Sequence, residues 1–194
     1  FGTARVWNGT NWQYYSSQTS RFLRGVSGFS EDSAWAVGDL GTIVRWTGTG
    51  FQNESPAEVN DNLYDVAAVS ATDAWAVGDN GTVLYRDNGG WNLYTHPNLP
   101  TDVDFRSIVV NADDDIMIVG ERCAIMHWDG TDWLSLKSDE LASMEIHCVY
   151  ENPFTGNVLI GGDRGKIYEY DAMSFNPHTT GTNSDIYTIT TDLM

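Results

Sequence analysis

The chain has 194 residues, long enough for one or two domains that bury roughly 70% of the surface an unfolded chain exposes. Ten Lys and Arg stand against 27 Asp and Glu, and the net charge of −17 repels a phosphate backbone, which excludes nucleic acid as a partner. No apolar run approaches the ~20 residues that cross a bilayer, so no membrane insertion is expected. Eight Trp, 9 Tyr and 7 Phe are too many for a disordered acidic tail, and two cysteines cannot build a disulfide framework.

Asp supplies 19 of the acids, and Lys137 and Lys166 are the only lysines. Two readings fit. A halophilic chain keeps surface carboxylates to stay hydrated in salt that screens their repulsion. Alternatively, Asp is abundant because turns are, its short side chain bonding locally to turn backbone. Salt adaptation predicts a higher melting temperature at about 2 M than at about 0.1 M NaCl, and equal melting removes it.

In chain order, Gly2-Thr3-Ala4-Arg5-Val6-Trp7 opens the chain and aligns with Gly41-Thr42-Ile43-Val44-Arg45-Trp46. Residues 1–20 therefore hold two strands of a partial unit, followed by units at 21–58, 61–99, 101–141 and 144–180 and one further strand within 183–194. Three markers share the period. The first is Ala34-Trp35-Ala36-Val37-Gly38-Asp39, repeated as Ala74-Trp75-Ala76-Val77-Gly78-Asp79 and, degenerately, as Ile116–Glu121 and Val158–Asp163. Its glycines at 38, 78, 120 and 162 lie 40–42 residues apart. The second is the aromatic-bounded turn ending at Trp12, Phe51, Trp91, Trp133 and Phe175. The third is Leu23-x-x-Val26, Leu63-x-x-Val66, Phe105-x-x-Ile108, Ile146-x-x-Val149 and Ile186-x-x-Ile189.

Within each unit the apolar runs are short, rich in β-branched and aromatic residues, and divided by Gly/Asp/Asn turns, which predicts four strands. In the clearest unit these are about 63–69, 74–78, 82–86 and 91–95. Gly78-Asp79-Asn80-Gly81 is expected to be a tight hairpin turn in which glycine supplies a positive φ. No segment sustains helical periodicity with caps. A four-stranded sheet apolar on both faces must be covered on both, and radial stacking does so. The expected fold is all-β, a β-propeller of four-stranded antiparallel blades of about 40–42 residues. It spans 1–194 as a single domain, either a five-bladed ring closed by the terminal strands or part of a larger propeller.

The pattern Leu-x-x-Val, Trp-Ala-Val-Gly-Asp-x-Gly-Thr, Trp-x-Gly-Thr-x-Trp resembles propeller repeats of the bacterial-neuraminidase (BNR) type and of the Ycf48 type, a photosystem II assembly factor. Asp87-Asn88-Gly89-Gly90-Trp91 resembles a contracted sialidase Asp-box that lacks the leading Ser and is about one residue short. The resemblance implies the fold and carries over no catalytic residue.

Propellers bind at the mouth of the central channel. The second residues of the innermost strands, Arg24, Tyr64, Arg106, His147 and Tyr187, are candidates for one ligand site, offering charge, hydrogen bonds and stacking to an anionic or sugar-like group. The competing reading is that they pack between blades. Asp39, Asp79, Glu121 and Asp163 offer one acid per unit, a carboxylate ring for a hard cation or, more simply, turn residues. No metal site is assigned: His96, His127, His147 and His178 lack ligand spacing, and Asp113-Asp114-Asp115 lacks the alternation of a calcium loop. Cys123 and Cys148 read as two free thiols, with a blade-to-blade disulfide as the alternative. The sequons at Asn8, Asn53 and Asn80 are no more than chance provides.

The function expected is a non-catalytic binding or scaffold module of a secreted or cell-surface protein, with a protein or glycan ligand at the channel mouth and no cofactor. The alternatives are a sialidase-like glycan-processing enzyme and a Ycf48-like assembly factor.

Overall fold

The computed structural model describes residues 2–136, 138–139, 141–142 and 144–190. The chain divides into two compact units, Phe1–Tyr94 and Thr95–Met194. Among the described residues the regular structure is β-strand and short 3-10 turns.

The first unit opens with β1 (Thr3–Trp7) and β2 (Trp12–Ser16), an antiparallel ribbon. Two four-stranded sheets follow. One is β3 (Leu23–Ser30), β4 (Ser33–Gly38), β5 (Ile43–Trp46) and β6 (Phe51–Asn53); the other is β7 (Leu63–Ala68), β8 (Ala74–Gly78), β9 (Val83–Asp87) and β10 (Gly90–Leu93). The second unit repeats this plan. Its sheets are β11 (Phe105–Ala112), β12 (Asp115–Gly120), β13 (Ala124–Trp128), β14 (Trp133–Ser135), and β15 (Ile146–Glu151), β16 (Val158–Gly162), β17 (Ile167–Tyr170), β18 (Phe175–His178). Strand order in each four-stranded sheet equals chain order and neighbours are antiparallel, so each is a meander.

The second strand of each sheet is buried on both faces, which is why Ser33–Gly38 and Asp115–Gly120 read as continuous apolar runs and not as alternation. In the first unit, β7 packs on β3 and β4, and Trp35, Val37, Ile43, Leu63, Val66 and Leu84 fill the space between the sheets. In the second, β15 packs on β11 and β12 over Met117, Val119, Ile125, Ile146, Val149 and Ile160.

The turn between second and third strands is a 3-10 turn with two successive left-handed residues: Leu40 and Gly41 (φ 54 and 66), Asn80 and Gly81 (53 and 70), Arg122 and Cys123 (53 and 57), Arg164 and Gly165 (59 and 69). At 78–81 the glycine that supplies the expected positive φ is Gly81, and a residue other than glycine shares the left-handed conformation with it. Gly78 itself is extended at φ −165. One expectation needs correction: residues 183–190 form no strand; Ile186 N donates to Gly162 O at 2.8 Å and the segment lies along β16 without a ladder of its own. Residues 191–194 lie outside the described residues.

Cys123 and Cys148 are both free. Burial, reinforced by the Glu145 carboxylate, pushes the Cys123 thiol up from its ordinary value. Because the thiolate is the reactive form, the native chain should react slowly with Ellman's reagent and release two equivalents only on unfolding. No equivalent released after denaturation would indicate a bridge.

Candidate functional site

Each innermost strand breaks register with its neighbour at its second residue, and β3 and β11 do so again near their far ends. The shifts fall between Leu23 and Gly25, Leu63 and Asp65, Phe105 and Ser107, and Ile146 and Cys148. The residues bypassed are Arg24, Tyr64, Arg106 and His147, four of the five picked out by their departure from the neighbouring apolar position. A β-bulge leaves its extra residue out of the ladder and re-aims its side chain, so the same local device presents all four.

In the first unit Arg24 Nε donates to Asp39 Oδ1 at 2.6 Å, and its guanidinium carbon stands 5.5 Å from the Tyr64 ring centroid. In the second unit Arg106 Nη2 reaches Asp104 Oδ2 at 3.2 Å and also pairs with Glu121. His147 stacks on Tyr187, ring centroids 4.7 Å apart and planes 28° from parallel. Tyr187 itself is on no strand; its hydroxyl donates to Asp185 Oδ2 at 3.3 Å. The structure thus brings Arg24 to Tyr64 and His147 to Tyr187, each pair within one unit.

The turn acids are occupied locally. Asp39 and Glu121 each hold the bulge arginine fifteen residues earlier in the same sheet. Asp79 Oδ2 accepts from Asn62 Nδ2 at 2.8 Å, and Asp163 lies 3.3 Å from Arg164 Nε. Among the described residues no group of three or more His, Cys, Asp or Glu is arranged to hold a metal ion. The shared Arg-to-acid spacing of fifteen was the one sequence signal available for these pairs.

Sequence reading missed how the left-handed turns are held. Leu40 N donates to Asn62 Oδ1 (3.1 Å), Arg122 N to Glu145 Oε2 (3.4 Å) and Arg164 N to Asp185 Oδ1 (2.9 Å). In every case the acceptor lies just before the next apolar Leu-x-x-Val motif, so it fastens the turn of one sheet to the start of the next element. Asn62→Ala removes the acceptor for Leu40 and the donor to Asp79, and should lower unfolding free energy by about 1–2 kcal/mol in urea denaturation.

Asx turns account for part of the Asp and Asn content. Asn8 Oδ1 accepts from Thr10 N and Asn11 N, Asp129 Oδ1 from Thr131 N and Asp132 N, and Asp171 Oδ1 from Met173 N and Ser174 N. Asp87 Oδ1 takes Gly89 N at 2.7 Å in the turn compared above with an Asp-box. The backbone N–H groups of Asp132 and Thr131 hold the Asp129 carboxyl below its usual range.

No family model and no curated protein matches the chain. Solved structures do. The structure described as YCF48 bound to D1 peptide superposes with a TM-score of 0.67 at 17% identity, covering 88% of this chain and 59% of that one. Virginiamycin B lyase from Staphylococcus aureus, a catalytically inactive H270A form with quinupristin, gives 0.73 at 12%, covering 91% and 62%. The WD40 β-propeller domain of Doa1 gives 0.61 at 19%, covering 83% and 54%. The chain spans about 54–62% of the length of these structures. At such identities the likeness concerns architecture alone. Repeated four-stranded meanders and these superpositions together make the chain's fold a β-propeller of antiparallel blades.

Proposed function

We propose that the chain is a non-catalytic propeller module that binds a polypeptide segment through its bulge residues, as part of a secreted or cell-surface protein. The observation that carries this reading is the recurrence of one bulge at Arg24, Tyr64, Arg106 and His147, where a sheet gives up a ladder position and turns a polar or aromatic side chain outward. A YCF48 structure described as bound to a D1 peptide supports a peptide ligand.

The chemistry narrows the ligand. Arg24 and Arg106 are already neutralised by Asp39 and Glu121, so a bare anion must displace a carboxylate in a chain of net charge −17. Stacking beside Tyr64, which Arg24 also approaches, or against the His147–Tyr187 pair requires no carboxylate to be displaced from an arginine. Extended peptides with aromatic and amide side chains fit this better than sialic-acid-like anions.

Screening the purified chain against peptide and glycan arrays tests the reading. Peptide hits that weaken about tenfold in both Arg24→Ala and Tyr64→Ala support it. Glycan hits alone, or turnover of fluorogenic sialosides abolished by Arg106→Ala, overturn it.

A further inference from the structure

The seam between the two four-stranded sheets of each unit is built from the same repeat positions, but with opposite polarity. In the first unit Ser33 Oγ and Arg45 Nη2 both donate to Ala71 O of the β7–β8 turn, at 3.1 and 2.9 Å, and Ala68 N donates back to Ser27 Oγ at 3.1 Å. Strand register places Asp115 and His127 of the second unit where Ser33 and Arg45 stand in the first, and Glu151 where Ala68 stands. Acceptors thus replace donors, and a second acid replaces an alanine.

Asp115 is held from two sides: His127 Nε2 lies 2.8 Å from its Oδ1, and Asn111 Nδ2 donates to its Oδ2 at 3.0 Å. The second bond fixes which way the Asn111 amide faces. Its other end, Oδ1, is buried, and no donor reaches it among the described residues, which costs as much as a lost hydrogen bond. Glu151 ends β15, and β15 packs on both β11 and β12, the strands of Asn111 and Asp115. Burial, with the Asp115 charge acting in the same direction, pushes the Glu151 carboxyl above the usual glutamate range. The other charges about this seam are His127 on β13 and Asp113 and Asp114 in the β11–β12 turn; on the sheet of Glu151 itself, Glu169 is taken up by Asn157 at 2.8 Å and His178 at 2.9 Å.

We propose that Glu151 in its carboxylic acid form supplies the donor that Asn111 Oδ1 lacks, which makes the seam between β11–β12 and β15 a proton-dependent latch. With the proton on, the Glu151 O–H joins β15 to Asn111 and through it to Asp115 and His127, one network across four strands. With the proton off, two carboxylates repel and Asn111 Oδ1 is left bare. A folded-state pKa above the unfolded one contributes stability that is complete below the unfolded value and is lost as pH rises through the folded one. The seam therefore firms in acid and loosens toward neutrality. It lies inside the second unit and stands apart from the ligand reading of the bulge side chains.

Two substitutions in the intact chain separate the donor from the charge. Glu151→Gln carries a permanent amide donor and no charge, whereas Glu151→Ala relieves the repulsion and supplies no donor. Near neutral pH, Glu151→Gln should melt about 3 °C above wild type, and Glu151→Ala should gain at most about half of that. Protection of the β15 amides, read by hydrogen exchange, should fall about fivefold in wild type between about pH 4 and about pH 7 and stay level in Glu151→Gln. Asn111→Ala removes the acceptor and should erase the difference between the two variants at 151. Equal melting of Glu151→Gln and Glu151→Ala overturns the proposal, because repulsion alone then explains the gain. A difference that survives Asn111→Ala, or wild-type β15 protection that does not change with pH, overturns it equally.

Discussion

Glu54→Ala is expected to cost about 3–5 kcal/mol and to lower the melting temperature by about 6–20 °C, the largest loss of any single side-chain truncation considered. Glu54 follows β6, and its carboxylate gathers four donors: Arg86 Nε at 2.8 Å and Nη2 at 3.0 Å, Trp35 Nε1 at 3.1 Å and Trp91 Nε1 at 3.3 Å. Trp35 comes from β4, whereas Arg86 and Trp91 come from β9 and β10, so one side chain joins two sheets of the first unit. Arg86 has 9% of its side chain exposed, and both it and Arg45 stand over the Trp35 ring at 5.4 and 5.3 Å. Removing the carboxylate strands a desolvated guanidinium and two indoles. Glu54→Gln keeps one good acceptor and should lose about half as much.

The same residue sets an acid dependence. Burial on its own would raise the Glu54 pKa, but the hydrogen bonds of Arg86 and Trp35 and the charges of Arg86 and Arg45 outweigh it and hold the carboxyl below the usual glutamate range. A depressed folded-state pKa contributes stability that is complete above the unfolded value and is lost as pH falls through the folded one. The gap between wild type and Glu54→Gln should therefore narrow on acidification below the ordinary glutamate pKa. A gap that stays constant from neutral pH to about pH 3 would mean that the ionised form is not what matters.

Gly78→Ala should cost about 3 kcal/mol, and for a reason unrelated to backbone freedom. Gly78 is extended, so alanine's φ is no obstacle; its Cβ, however, would stand 2.1 Å from Asn62 O and 3.1 Å from Leu63 Cα. Both are backbone atoms of the paired strand and cannot swing aside. Gly38, Gly120 and Gly162 face the same overlap, at 1.9, 2.1 and 2.2 Å from the carbonyl oxygens of Phe22, Asp104 and Glu145. Pushing Asn62 and Leu63 outward also moves the Tyr64 bulge, so ligand affinity should fall along with stability. Gly50→Ala is the control, since its Cβ meets nothing within 4 Å and should change stability by no more than about 0.5 kcal/mol. Equal melting temperatures for the two variants would refute the close-approach account.

How far the site was legible can be followed residue by residue. Arg24, Tyr64, Arg106 and His147 stood out because each interrupts an apolar motif at the same repeat position. The bulges that present them did not, because a bulge is a mismatch between two strands and leaves no mark on either alone. Glu54 passed unnoticed for a similar reason: its partners Trp35 and Arg86 lie 19 and 32 residues away, and only the stacking of two sheets brings them together. The segment Ile186–Ile189 matched the inner-strand motif, yet a strand needs a ladder partner as well as a pattern.

Period, the four strands of each full unit, turn positions and the all-β class follow from the one-dimensional string, because they depend on local propensity and on the 40–42-residue recurrence of glycine and aromatic residues. The glycine recurrence itself turned out to record a packing distance and not a torsion angle. Which acid neutralises which arginine and which carboxylate gathers the buried indoles were decided only in three dimensions. Those features arise where one sheet meets another, and the free energy of such a meeting is a property of both surfaces together.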